Sequence, residues 1–179
     1  MNPYLLIGSG VLLLAMMKKK GPGAATSGPG ATNYGTGVVS PTTEEIAATL
    51  RSIAATYGNA IARNVERIYR LETASFTSGQ FRLTNTAGMK ALSLSWPFGW
   101  PKRGTVPEMF AEPVSMSENA GGGPFNWVAF KRFPDAAEYL AKFLQAYGND
   151  PARWRTDRLD SPTAASYRAA VAAINPQYV

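Results

Sequence analysis

Residues 59–81 read NAIARNVERIYRLETASFTSGQF, and this stretch decides the fold. Ile61, Val65 and Ile68 recur in steps of four and three, the period of one helix face. The next position on that line is Glu72. The helix ends there, because Thr73-Ala74-Ser75-Phe76 carries no further apolar period. A carboxyl on an apolar stripe is partly desolvated, which disfavours its charged form and raises its pKa. A carboxylic acid still protonated near neutral pH is what a glycosidase needs as general acid. The competing reading is a Glu that turns outward at a fraying helix end, or one paired with Arg67 or Arg70.

Working outward, an earlier helix opens on a capping box, Thr42-Thr43-Glu44-Glu45, continues through Ile46, Leu50, Ile53 and Tyr57, and stops at Gly58. Downstream, Asp135 starts an amphipathic helix with Ala136, Tyr139, Leu140, Phe143, Leu144 and Tyr147 as its buried stripe and Gly148 as its end. A last helix starts at Ser161-Pro162 and runs to Ile174, before Asn175-Pro176. Residues 125–130, FNWVAF, read as a strand behind the turn Gly121-Gly122-Gly123, with a partner over Phe110 to Met116. The expected class is mainly α (α+β), a helical domain with a small β-hairpin insertion.

The chain has 179 residues and neither cysteine nor histidine. Disulfides, thiolate nucleophiles, imidazole bases and His-ligated zinc are excluded together. Proton chemistry falls to the twelve carboxylates. No carboxylate cluster is evident, so neither a cofactor nor a metal is expected. The net charge is +6, of which Lys18, Lys19 and Lys20 supply half. A mildly basic body suits a polyanionic partner, or serves solubility alone.

Residues 4–17, YLLIGSGVLLLAMM, carry no charge and precede those lysines. As a helix they cover roughly 21 Å of an apolar core of about 30 Å. The positive charges follow the apolar run, the reverse of a cleaved secretory signal. Residues 1–20 therefore read as an uncleaved transmembrane anchor, with the lysine side cytoplasmic or equivalent. Residues 21–43 are rich in Gly, Pro, Ser, Thr and Ala and read as a flexible linker. The domain then spans 44–179.

The segment from Glu72 through Thr73, Ser75, Phe76, Gly79 and Phe81 to Asn85, Gly88 and Lys90 resembles the catalytic segment of lysozyme-like peptidoglycan hydrolases. Further on, Phe130-Lys131-Arg132-Phe133-Pro134-Asp135, Glu138-Tyr139, Phe143-Leu144 and Asn149-Asp150-Pro151-Ala152-Arg153-Trp154 resemble the C-terminal signature of the endo-β-N-acetylglucosaminidase family, which includes flagellar rod-type and autolysin-type wall hydrolases. The resemblance runs from Asn59 to Trp154. Thr73 stands where Ser is usual, and Ala152 is inserted in the corner. The resemblance implies a lysozyme-like fold, peptidoglycan glycan strands as substrate, and Glu72 as catalytic acid. It also implies a second carboxylate on the hairpin that activates water, Glu118 first and Glu112 second, unless the substrate's N-acetyl group assists instead. Tyr147 and Trp154 flank the family corner and are candidates to line the cleft.

Trp96 and Trp100, with Phe98 between them, form an aromatic cluster in an irregular loop and, with Trp127, are candidates to stack on sugar rings; packing in the core is the other reading. Arg153, Arg155 and Arg158 form a basic edge that reads as a solvated face or as a contact for an anionic wall polymer. Two functional classes fit. One is an anchored glycoside hydrolase that cuts β-1,4 bonds of wall glycan. The other is a non-catalytic, membrane-anchored structural protein of a virion with a degenerate lysozyme-like domain. No specific nucleic-acid partner is expected. The lysines place the domain on the side away from the wall; a bacteriophage with an internal membrane, whose enzyme meets the wall on entry, resolves this, as does a bacterial inner-membrane anchor that violates the charge rule or a wall reached after lysis.

Overall fold

A computed structural model describes residues 37–89, 109–116 and 125–179. The described chain is mainly helical, with one antiparallel hairpin. Its elements are α1 (Thr43–Tyr57), α2 (Asn59–Glu72), α3 (Gly79–Thr84), β1 (Phe110–Met116), β2 (Phe125–Phe130), α4 (Phe133–Ala146), a 3₁₀ turn at Pro151–Trp154, and α5 (Pro162–Ala173). The expected anchor and residues 21–36 of the expected linker lie outside the described residues, as do Trp96, Trp100 and Glu118. Among the described residues no helix is long and apolar enough to cross a membrane.

Helix ends follow their local chemistry. The Thr42 hydroxyl accepts from the Glu45 amide at 3.1 Å and starts α1. Gly58 separates α1 from α2 at φ +89°, a conformation that favours glycine. Ser161 caps α5 through the Ala164 amide at 3.2 Å, and Pro162 needs no amide partner in the first turn. Helix α4 begins at Phe133, two residues before the expected Asp135. Pro134 fits the first turn of a helix, and Phe133 is fully buried there rather than extending β2.

Helix α2 is central and packs against α1, α4 and α5. The core joins Leu50 and Ile53 of α1, Val65, Ile68 and Tyr69 of α2, Phe81 of α3, Phe130 of β2, Leu140, Phe143 and Leu144 of α4, and Tyr167 and Val171 of α5. Tyr69, Phe76, Phe81 and Phe133 form one aromatic knot with centroids 5.2–6.0 Å apart, mostly edge to face.

The hairpin pairs Phe110 with Phe130 and Met116 with Phe125. Its register slips between Ala111 and Val114, so Glu112 and Pro113 lie in a bulge. Pro cannot donate to a ladder, and a bulge is where a strand tolerates it. The hairpin is fixed to the helices by Asn85, left-handed at φ +57° beyond the end of α3. Its side-chain amide donates to the Val39, Phe130 and Lys131 carbonyls at 3.0, 3.1 and 3.3 Å. The Val39 amide also donates to the Lys131 carbonyl at 2.8 Å. The domain therefore begins a few residues before the composition break near Thr43, because these backbone groups have found partners in it.

Candidate functional site

Glu72 is the last residue of α2 and is half-buried, at the end of the line formed by Ile61, Val65 and Ile68. Burial raises its pKa above the ordinary glutamate value. Two side chains oppose that rise in part, Tyr167 of α5 and Arg155, just past the 3₁₀ turn. These three groups come together because α2 packs on α5 and α5 packs on the 3₁₀ turn. The Tyr167 hydroxyl is sealed from solvent and makes no hydrogen bond at full geometry. It faces the Glu72 carboxyl and favours the charged form of that group. Burial first, and then Glu72, push the ionisation of Tyr167 well above that of an ordinary tyrosine, so it stays a neutral hydroxyl. The site is thus a carboxyl whose ionisation is disfavoured by desolvation, beside a hydroxyl and a guanidinium that favour its charged form. Such a group can deliver a proton and be stabilised as a carboxylate afterwards.

The turn after Glu72 is strained. Ala74, Ser75 and Phe76 have φ of +49°, +57° and +68°. For residues with a side chain this region costs about 1–2 kcal/mol each. The surroundings hold it open. The Thr73 hydroxyl donates to the Tyr69 carbonyl and accepts from the Phe76 amide at 2.9 Å. The Ser75 amide reaches the Arg70 carbonyl at 2.9 Å, and the Thr77 and Ser78 amides reach the Thr73 carbonyl at 3.0 and 2.9 Å. Phe76 is then set into the aromatic knot. Strain of this kind persists only where its surroundings over-determine it, and it gathers at functional sites. Thr73→Val keeps the shape and removes both hydroxyl bonds. It is expected to cost about 1–3 kcal/mol in chemical denaturation, against under about 0.5 kcal/mol if the hydroxyl were idle.

Glu112 lies in the β1 bulge. Trp127, a candidate to stack on sugar, and Trp154, a candidate to line the cleft, are both buried. They are 7 % and 3 % exposed. The Trp127 indole N–H donates to the Met116 carbonyl at 3.2 Å, and that of Trp154 to the Ala87 carbonyl at 2.9 Å. The rings pin the hairpin and the 3₁₀ turn to the core because a large apolar face gains more from burial than from water. Tyr147 is half-buried, with Phe143 on one side and the Arg153 guanidinium 5.3 Å from its ring centroid. Asp150 caps the 3₁₀ turn and is clamped by Arg168 at 2.6 and 3.0 Å, which holds its carboxyl below the ordinary range and makes it a structural anion.

Three residues carry more than the sequence suggested. Arg155 is half-buried beside Glu72 rather than on a solvated edge, and Tyr167 faces the same carboxyl. Glu66 is fully buried and accepts from Arg70 Nε at 2.7 Å and from the Gln177 and Tyr178 amides at 2.7 and 3.0 Å. The period could have found it, since Ala62, Glu66, Tyr69 and Thr73 follow steps of four, three and four. Among the described residues no three Asp or Glu side chains gather as a metal cluster. No family model, no curated protein and no solved structure matches the chain.

Proposed function

We propose that this chain is a lysozyme-like peptidoglycan hydrolase, with Glu72 as general acid. One observation carries the reading: a half-buried glutamic acid at a helix end, its pKa raised by desolvation, on a strained turn and beside Tyr167 and Arg155. Burial disfavours the charge on this carboxyl, while Tyr167 and Arg155 beside it favour that charge, an arrangement suited to a group that changes protonation state in a reaction. In the proposed reaction Glu72 protonates the glycosidic oxygen while positive charge develops at the sugar's anomeric carbon. Arg155 and Tyr167 then stabilise the carboxylate it leaves behind. Water then attacks from the far side and gives its proton to Glu118 or Glu112; in the alternative course the substrate's own N-acetyl oxygen attacks first, and water then opens the ring it forms and returns a proton to Glu72. Residues 1–20 hold the enzyme in a membrane, either the bacterial inner membrane or one inside a phage particle.

The test is product identity. The full chain is incubated with purified peptidoglycan and the soluble fragments are reduced and identified. New reducing ends on N-acetylglucosamine support an endo-β-N-acetylglucosaminidase, those on N-acetylmuramic acid a muramidase. Anhydro ends would mean a lytic transglycosylase, and no soluble fragments would overturn the enzyme reading. For the anchor, the full chain is expected to float with liposomes, and a chain lacking residues 1–20 is expected to remain in the soluble fraction. Equal partitioning of the two would contradict the anchor.

A further inference from the structure

The segment 174–179 crosses back over α2 and is fastened at three points. The Ile174 carbonyl accepts from Arg67 Nε at 3.0 Å. The Gln177 and Tyr178 amides donate to the buried Glu66 carboxylate. The Gln177 side-chain oxygen accepts from Arg70 Nη2 at 3.0 Å. Arg70 is the junction. Its side chain is only 8 % exposed, it pairs with Glu66, and its guanidinium lies between two rings. Tyr178 of the segment is 5.0 Å away, and Phe76 is 5.5 Å away. Phe76 is the third left-handed residue of the turn that follows Glu72, and the Arg70 carbonyl accepts from Ser75 in the same turn. A guanidinium held between rings and ion-paired behind them has little freedom left.

We infer that segment 174–179 is a strap that sets the Glu72 turn, acting through Tyr178, Arg70 and Phe76, so that Arg70 and Tyr178 are positioning residues for the acid. The inference rests on the proposed role of Glu72. Its structural content stands apart from that role: displacing Tyr178 must alter the turn 74–76 and the surroundings of the Glu72 carboxyl. With Tyr178 gone, the guanidinium loses one of its two rings, the turn relaxes, and water reaches Glu72.

The experiment uses the full chain as wild type, Tyr178→Ala and Tyr178→Phe. Amide resonances of Ala74–Phe76 and the ¹³C titration of the Glu72 carboxyl are followed by NMR, with glycan release measured in parallel. Tyr178→Ala is expected to shift the 74–76 amides, lower the Glu72 midpoint towards the ordinary glutamate value, and reduce release by roughly 10–10²-fold. Tyr178→Phe keeps the ring and is expected to restore all three. Unmoved amides and an unmoved midpoint in Tyr178→Ala would overturn the strap. Shifted amides and midpoint with no glycan release from wild type would uphold the strap and overturn the proposed activity. Should Tyr178→Ala fail to fold, Arg70→Lys replaces it with the same readouts, since lysine keeps the charge and loses the flat stack.

Discussion

Glu72→Gln is expected to lower glycan release by about 10²–10⁴-fold while the fold stays intact. The amide has the shape of the acid and can still take part in the contact with Tyr167, but it has no proton of the required acidity to give the leaving oxygen. The same substitution has a second expected result, of opposite direction, in stability. The folded chain favours neutral Glu72, because burial raises its pKa. Its contribution to stability is therefore fully present below the ordinary glutamate pKa and is lost as pH rises through the raised folded value. Glutamine has no such loss. Wild type and Glu72→Gln should unfold alike in mild acid, and the variant should become the more stable of the two as pH rises. Thermal unfolding of both chains between about pH 4 and pH 8 measures this. Curves that stay parallel across the range would contradict a desolvated Glu72. Activity shares the wild-type dependence: release should fall as pH rises through the same midpoint, because only the protonated form donates.

Glu66→Ala is expected to cost about 3–5 kcal/mol of folding stability, the largest effect of any single change considered. The carboxylate is fully buried and serves three donors at once: the Arg70 guanidinium and the amides of Gln177 and Tyr178. Removing it leaves a nearly buried guanidinium without its counter-charge and two backbone N–H groups without acceptors. Glu66→Gln keeps one oxygen as acceptor and should lose less, about 1–3 kcal/mol. Urea unfolding of the three chains checks the order. A Glu66→Ala midpoint within about 0.5 kcal/mol of wild type would show that the pair behaves as a surface salt bridge and holds nothing.

The contrast between Glu66 and Glu72 shows what the sequence could reveal. Both lie on α2 at helical spacing from apolar residues, and both are withdrawn from water. Glu72 stood out because it extends an unbroken apolar line and the helix ends on it. Glu66 lies on the line Ala62, Glu66, Tyr69 and Thr73 with Arg70 one turn on, but its two backbone amide partners come from residues more than a hundred positions away. No local pattern reports those. The three left-handed residues were hidden for a similar reason. Ala74-Ser75-Phe76 contains no glycine or asparagine to announce a positive φ; the conformation is imposed by the Thr73 hydroxyl and by the burial of Phe76. Helix α1 was legible because cap and period agree, α2 from its period alone and α5 from its Ser161-Pro162 start. The start of α4 was not, since Phe133 fits a strand end as well as a helix start until its packing is known. Trp127 and Trp154 illustrate the ambiguity of aromatic residues. A ring that could stack on a sugar packs equally well in a core, and here the core holds both.

The central claim is that the half-buried Glu72 is the acid that cleaves wall glycan. It is tested most directly by incubating equal amounts of wild-type and Glu72→Gln full chains with the same purified peptidoglycan, in chelator, and counting new reducing ends over time. Steady release by wild type, at least about 10²-fold less by the variant, and superimposable circular dichroism spectra for the two are expected. Equal release by both chains would contradict it.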